Sequence, residues 1–428
     1  MSRRFDSDSR LDENLPMIHS RLSAVEGISC WNYDGDLNLL GYPTGAILLS
    51  RQSRRPKPTD WWLHATIEAM AMLAKEGRAV VCGGGILHLD FARWAAYKAA
   101  GTILVDVPGG ASGKLSAGPP EWSHLRIEPV ISTRCGKVET MTERDKWIAV
   151  LADKIIAVEV RAGGNMEALG KWAAAAGKEV FVIEPPRATS ANRGNANLSE
   201  AGARSLQIRV SPIHEEQITQ FPQKEEPAQF DGAVLKDYLW HFTRECAGPW
   251  PGQTWDEYFS DLAAGAPGAA HEAVDSLERI LHKGIINAVG RIVRGGHKAV
   301  CFSARSPLEL AANPVYRKSL ARWDFKPYAV GIRRDVASQL GAKPVRYCAE
   351  EDYPEIPGDE KYLFQLSTGK KSDWRREEEW RTSGDINLNS IDPAEVLILV
   401  HNSAEKERIG KISRFPVVSF KEILPGSA

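Results

Sequence analysis

Short apolar runs alternate with helical periodicities through the first half of the chain. Gly45 to Ser50 (GAILLS) is an apolar run of strand length, and Trp61 to Lys75 repeats its apolar residues at helical spacing before Gly77 closes it. Ala79 to Cys82 is a β-branched run, Gly83-Gly84-Gly85 follows at once, and Leu89 to Ala100 returns to a helical spacing ended by Gly101. Thr102 to Val105 opens the next strand. The same order recurs in the helix Met141 to Ala152, the strand Ile155 to Val160, the turn Gly163-Gly164-Asn165, the helix Met166 to Ala176 and the strand Val180 to Ile183. Strand and helix in alternation predict an α/β fold with a doubly wound parallel sheet. The ligand crevice of such a sheet lies beyond the carboxyl ends of its strands. Ser50, Arg51, Gly83, Gly84, Gly85, Gly163, Gly164 and Asn165 are therefore predicted on one rim.

The pattern changes after residue 211. Residues 212–233 are rich in Pro, Gln and Glu and read as a linker. Beyond them, Tyr238 to Thr243, Lys298 to Ser303, 326–332, 343–348 and 395–400 read as strands, with one helix from Ala273 to Lys283 ending at Gly284 and a Pro/Gly-rich loop before it. Short strands with few helices predict an α+β domain on a mixed or antiparallel sheet. The organisation expected is an N-terminal extension (1–34, with a helix over MIHSRLSAV), a front domain (35–211), the linker and a rear domain (234–428).

Composition narrows the function classes. The 428 residues carry a net charge of −1, so any nucleic-acid site must be a local basic patch rather than a global attraction. Six cysteines stand far apart with no CxxC pair, which argues against zinc and against a disulfide framework and fits a reducing cytoplasm. No metal site is expected. No apolar run has bilayer length and the polar start is no signal peptide, so a soluble cytoplasmic protein with no membrane partner is expected. VPGGASGKLS (107–116) fails as a phosphate loop: Pro108 replaces the first glycine before Gly113-Lys114, and Leu115 replaces the magnesium-binding hydroxyl.

Candidate chemistry falls in two places. In front, Arg51, Arg54, Arg55 and Lys57 crowd the loop after the first strand, beside the glycine turn, as a phosphate-contacting rim or as a solvated loop. In the rear, His241 sits mid-strand, Arg305 leaves a strand end before Pro307, and Glu377 and Glu379 lie two apart, which in an extended chain puts both carboxylates on one face. A carboxylate pair beside an arginine suits a diphosphate and a ribose oxocarbenium ion, whereas the bland reading is a solvated charge run.

Two resemblances add to this reading. Ser50-Arg51, the glycine turn with Asp90, the block EVRAGGNMEALGKWAAAAGKEVFVIEPP (159–186) and RGNANLSEAGA (193–203) resemble the DNA-processing protein A (Smf), or SLOG-type, family over roughly residues 41–205. The resemblance implies an extended Rossmann domain that binds single-stranded DNA in a basic pocket; related Rossmann domains of bacterial defence proteins bind nucleotide signals. Cys82-Gly83, His88-Leu89 and Gly163-Gly164-Asn165 depart from the family's hydroxyl-bearing turns, which shifts the expected ligand toward a smaller nucleotide. A PGGxGTxxE signature is absent, so no catalysis is expected in this domain. In the rear, His241-x-Thr243, the helix ending in Gly284-Ile285, Phe302-x-x-Arg305-Ser306-Pro307 and the 374–381 block resemble DNA-targeting ADP-ribosyltransferase toxins and abortive-infection families. This implies NAD as substrate, held by His241, Thr243, Ser303 and Arg305, with Glu379 catalytic and Glu377 supporting the acceptor. The acceptor stays open between a DNA base, a protein side chain and water, and a homo-oligomer stays open as well.

The combined expectation is a bacterial anti-phage defence protein whose front domain senses single-stranded DNA or a nucleotide and controls an NAD-dependent ADP-ribosyltransferase or NAD glycohydrolase. The competing expectation is a non-catalytic single-stranded-DNA-binding protein with a partner-binding rear domain. Convergence of His241, Arg305 and Glu379 in one pocket discriminates between the two.

Overall fold

A computed structural model describes residues 3–6, 30–99, 103–107, 124–130, 142–208, 234–290, 293–312, 316–317, 322–323, 325–369, 372–373, 375 and 378–424. The chain divides into two compact units, residues 1–215 with 247–270, and residues 216–246 with 271–428. The linker expected at 212–233 lies outside the described residues, as do the helix over MIHSRLSAV, most of the 107–116 loop and Glu377.

The front unit is built on a nine-stranded sheet. Its strands are β1 (Arg3–Asp6), β2 (Cys30–Gly35), β3 (Thr44–Leu49), β4 (Ala79–Gly83), β5 (Ile103–Val107), β6 (Leu125–Val130), β7 (Lys154–Glu159), β8 (Glu179–Ile183) and β9 (Arg204–Leu206). They lie in the order β1-β2-β6-β5-β4-β3-β7-β8-β9. From β6 to β9 every neighbouring pair is parallel, and β1 and β2 add an antiparallel edge. The predicted doubly wound sheet is therefore present, and residues expected as a separate N-terminal extension supply its edge strands.

The chain runs outward from β3 through β4 and β5 to β6, then returns to lay β7 beside β3. That reversal is the topological switch point, where the flanking helices part and a crevice opens. Alternation along β3 feeds two cores. Ala46 and Leu48 pack with Trp147, Leu169 and Leu198 from α3 (Thr142–Leu151), α4 (Asn165–Ala175) and α5 (Arg193–Glu200). Ile47 and Leu49 pack with Trp62, Met70, Phe91 and Trp94 from α1 (Trp61–Lys75) and α2 (Leu87–Lys98).

One segment departs from expectation. The stretch read as a Pro/Gly-rich loop contains α6 (Trp255–Ala264), opened by a Thr254/Glu257 capping box and closed by Gly265. Tyr258, Phe259 and Leu262 join the second front core, with the Phe259 ring 5.5 Å from that of Phe91. Asp256 accepts the Trp94 indole N–H at 2.8 Å. Burial of those aromatic rings, which no local pattern announces, assigns residues 247–270 to the front unit.

The rear unit is a seven-stranded mixed sheet. Its strands are β10 (Tyr238–Phe242), β11 (Ala299–Ser303), β12 (Ala329–Arg333), β13 (Lys343–Pro344), β14 (Glu379–Ser383), β15 (Val396–Val400) and β16 (Val417–Ser419). They lie in the order β13-β14-β11-β10-β12-β15-β16. Only β15 and β16 pair in parallel among these neighbours. The strand expected at 343–348 is split: Pro344 lacks the N–H that would extend the ladder, and Arg346–Cys348 pairs instead with Phe364–Leu366. The helix α7 (Ala273–Lys283) contributes Val274 and Leu277 to the core on one face, and Trp240, Leu397 and Leu399 fill the core on the other.

Candidate functional site

The switch point joins two strand ends through their backbones. The pairing of β3 with β7 slips by one residue, so Leu49 faces Glu159 rather than Val158, a bulge that redirects the chain at the crevice. Ser50 N–H donates to Glu159 O at 2.8 Å, and Arg161 N–H donates to Ser50 Oγ at 2.9 Å. Arg51 and Arg161 thereby leave adjacent strand ends side by side, both exposed. The side chain of Asn195 in α5 ties the next strand in: it accepts from Val160 N–H at 2.8 Å and donates to Val158 O at 2.8 Å and to Ile183 O at 3.0 Å. Gly194 N–H reaches Val160 O at 2.8 Å, which sets exposed Arg193 beside the end of β7.

The carboxylates of this rim are mostly turned inward and satisfied. Buried Glu159 accepts from Gln52 Nε2 at 2.9 Å and from the Trp61 indole. Buried Glu167 accepts Gly163 N–H at 2.7 Å, Lys171 and Asn197. Glu184, after β8, is exposed and bonded to Ser205 and Gln207. Arg51, Arg54, Arg161 and Arg193 have no carboxylate within ion-pair distance among the described residues.

The glycine turn departs from expectation. Gly85 adopts φ +87°, a conformation that L side chains avoid, and its N–H is donated to Asp90 at 3.0 Å. That donor, expected to face an anion, thus faces a side chain of the helix that follows, α2. Gly84 O accepts from Arg144 Nη1 at 2.9 Å, and a Cβ at Gly83 would stand 2.9 Å from Arg144 Cδ. The glycines therefore make room for an arginine. Arg144 also donates to Asp145 Oδ1 from Nε at 3.0 Å and Nη2 at 2.8 Å. Burial pushes the Asp145 carboxyl above its ordinary range against the pull of Arg144. Gly163 and Gly164 form the turn at the start of α4, and Asn165 Nδ2 reaches Asp145 Oδ2 at 3.4 Å.

His88 stands in the first turn of α2. It is only 4% exposed, and no hydrogen bond engages its ring among the described residues. Burial, and then the charges of Arg144, Arg51 and Arg161, lower its pKa to about 3. The ring is therefore neutral near pH 7. Arg144, Arg161 and Arg193 were not singled out from the sequence. Arg161 was legible as a cation directly after a strand, whereas Arg144 in mid-helix carried no such signal.

In the rear unit the expected constellation does not converge. Trp240 pairs with Ser303, and Ser303 with Glu379, so these three share one face. His241 pairs with Val330, and Phe302 with Trp380, on the other face. The two core clusters divide the same way, and the His241 ring lies 6.0 Å from that of Phe302. The pleat of the sheet separates His241 from Glu379.

Each side chain is also otherwise occupied. His241 Nδ1–H donates to Cys301 O at 2.9 Å, and burial lowers its pKa. Thr243 Oγ donates to Ala273 O at 2.7 Å. Both oxygens of Glu379 are held by Arg381, at 2.8 and 3.0 Å. Arg381, 1% exposed, further donates to Tyr362 O, Phe364 O and Gln365 Oε1. Cys301 beside this pair has its thiol pushed up to about 12 by burial and by Glu379, which leaves it unreactive. Arg305 is half-exposed, donates its N–H to Ser303 Oγ at 3.1 Å and approaches Glu378 at 3.6 Å. Glu378 has φ +44°, and Glu377 lies outside the described residues.

Among the described residues no cluster of three or more His, Cys, Asp or Glu could hold a metal ion, and no helix is long and apolar enough to cross a membrane. No family model and no curated protein sequence matches the chain. Among solved structures, DNA processing protein A from Streptococcus pneumoniae is similar at 20% identity and a TM-score of 0.38, over 48% of this chain and 70% of that one. DNA processing protein A from Helicobacter pylori, studied for its single-stranded DNA binding mode, is similar at 20% identity and a TM-score of 0.35, over 47% and 93%. A molybdenum cofactor binding protein from Rippkaea orientalis is similar at 16% identity and a TM-score of 0.28, over 38% and 88%. Likenesses of this size carry no activity or ligand over to this chain.

Proposed function

We propose that this is a non-catalytic nucleic-acid-binding protein, whose front unit holds the phosphates of single-stranded DNA and whose rear unit is a partner-binding module. The observation that carries the reading is the row of exposed arginines at the switch point. Arg51 and Arg161 follow the adjacent strands β3 and β7, Arg193 at the start of α5 stands beside the end of β7, and the glycine turn after β4 flanks β3 on the other side. Cations gathered at neighbouring strand ends, about 4.8 Å apart, suit the phosphates of a nucleic-acid strand.

An NAD-consuming effector in anti-phage defence is the weaker reading. It requires His241, Arg305 and Glu379 in one cleft, and the register puts His241 and Glu379 on opposite faces.

The test is affinity for a short single-stranded oligodeoxynucleotide across a salt series, with NAD turnover by the full chain followed in parallel. Binding should weaken with salt, and Arg51→Ala and Arg161→Ala should each reduce the log–log slope by about 0.7, the share of one phosphate contact on a single strand. A salt-independent affinity, or no binding, overturns the reading. NAD turnover stimulated by DNA would restore the effector.

A further inference from the structure

We infer that Trp61 is a stacking platform for a base, so that the front unit grips a base of the strand as well as its phosphates. This deepens the nucleic-acid reading and rests on it. Three observations support the inference.

The first is placement. Glu159 ends β7, and its two carboxylate oxygens are shared between neighbouring segments. Oε1 accepts from Gln52 Nε2 at 2.9 Å, and Oε2 accepts the Trp61 indole N–H. Gln52 directly follows Arg51, and Arg161 stands two residues beyond Glu159. One carboxylate therefore holds the indole at the two strand ends from which these exposed arginines leave.

The second is that the core does not call for a tryptophan at this position. The helix α1 buries Trp62, Ala65, Ala69 and Leu73 in the second front core. Trp61 shares its helical line with half-buried His64 and exposed Glu68, three and seven residues on. It packs against the same core while remaining only half-buried. A large ring thus stands where the helix surface turns polar.

The third is fixed orientation. The indole N–H is satisfied by Glu159, so the polar edge of the ring is anchored and needs no ligand atom. What the residue offers a ligand is its π-face, on which any base can stack. Fixing the ring beforehand lowers the ordering cost of binding. Cations for the backbone and an aromatic ring for a base are the parts of a sequence-tolerant single-strand site.

The test compares, on the full-length protein, an oligodeoxythymidylate with an abasic strand of the same number of phosphates. The two carry equal charge, so the arginines do not distinguish them. Wild type should bind the thymidylate roughly 5- to 150-fold tighter, the range for one stacked base. Trp61→Leu keeps an apolar side chain without a π-face; it should bring that ratio to about unity and leave the salt slope unchanged. Trp61→Phe keeps a smaller ring and should lower the ratio only in part, which serves as the test if Trp61→Leu does not fold. Melting curves show which variants are folded. Equal affinity of wild type for the two strands overturns the inference while leaving the DNA-binding reading standing. An unchanged ratio in the folded variants does the same, including the case in which both strands weaken by one factor and Trp61 is merely structural. Binding of neither strand overturns both.

Discussion

The two sheets treat their polar residues differently. In the front unit Arg51, Arg161 and the glycine turn lie beyond the ends of parallel strands, where direction alone decides which side of the sheet a residue joins. Residues far apart in sequence then meet without any of them having to fit a pleat. In the rear unit His241, Ser303 and Glu379 lie inside paired strands, where the two-residue alternation and the register decide which face each side chain takes. A shift of one residue separates groups that neighbour each other in the sheet. Motif order thus indicates proximity at strand ends, and within strands it does so only when the register is also known.

The largest effect should come from breaking the structural use of the rear motif. Arg381→Met removes a buried guanidinium and strands the Glu379 carboxylate and the carbonyls of Tyr362 and Phe364. A loss of about 3–5 kcal/mol is expected in denaturant unfolding, as for one partner taken from a buried ion pair. A loss below about 1 kcal/mol would show that Glu379 is free for another role.

A smaller effect tests the front crevice. The His88 pKa is lowered to about 3 from an ordinary 6.5, so the unfolded chain binds the proton more readily than the folded one. Its contribution is fully present above pH 6.5 and is lost as the pH falls toward 3. Urea unfolding at pH 7 and pH 5 should show wild type losing stability relative to His88→Leu, by at most about 1.4 kcal/mol per pH unit. Parallel pH curves would show that neither burial nor the arginines lower the pKa of the ring.

The smallest effect is expected at Arg305. Its contact with Glu378 is long and exposed, at 3.6 Å. Arg305→Ala should change stability by under about 0.5 kcal/mol and leave DNA affinity as it was. A strong loss of DNA binding would move part of the interface into the rear unit.

The sequence by itself determined the alternation of β3, β4, β5, β7 and β8 with their helices, the doubly wound sheet, the rim on which Ser50, Arg51, Gly83 and Gly163 lie, and the strands at β10, β11, β12 and β15, but not β6. Those features follow from local periodicity and from strand direction, which each segment carries in its own residues. Tertiary structure decided the rest. It showed Asn195, buried among the RGNANLSEAGA residues, to be the clamp on β7 and β8, and it closed the glycine turn with Asp90 and Arg144. It also carried α6 into the front core and set His241 and Glu379 on opposite faces. Each of these depends on contacts between segments distant in sequence, or on a register that changes every side chain's face when it slips by one residue. No local pattern encodes either one.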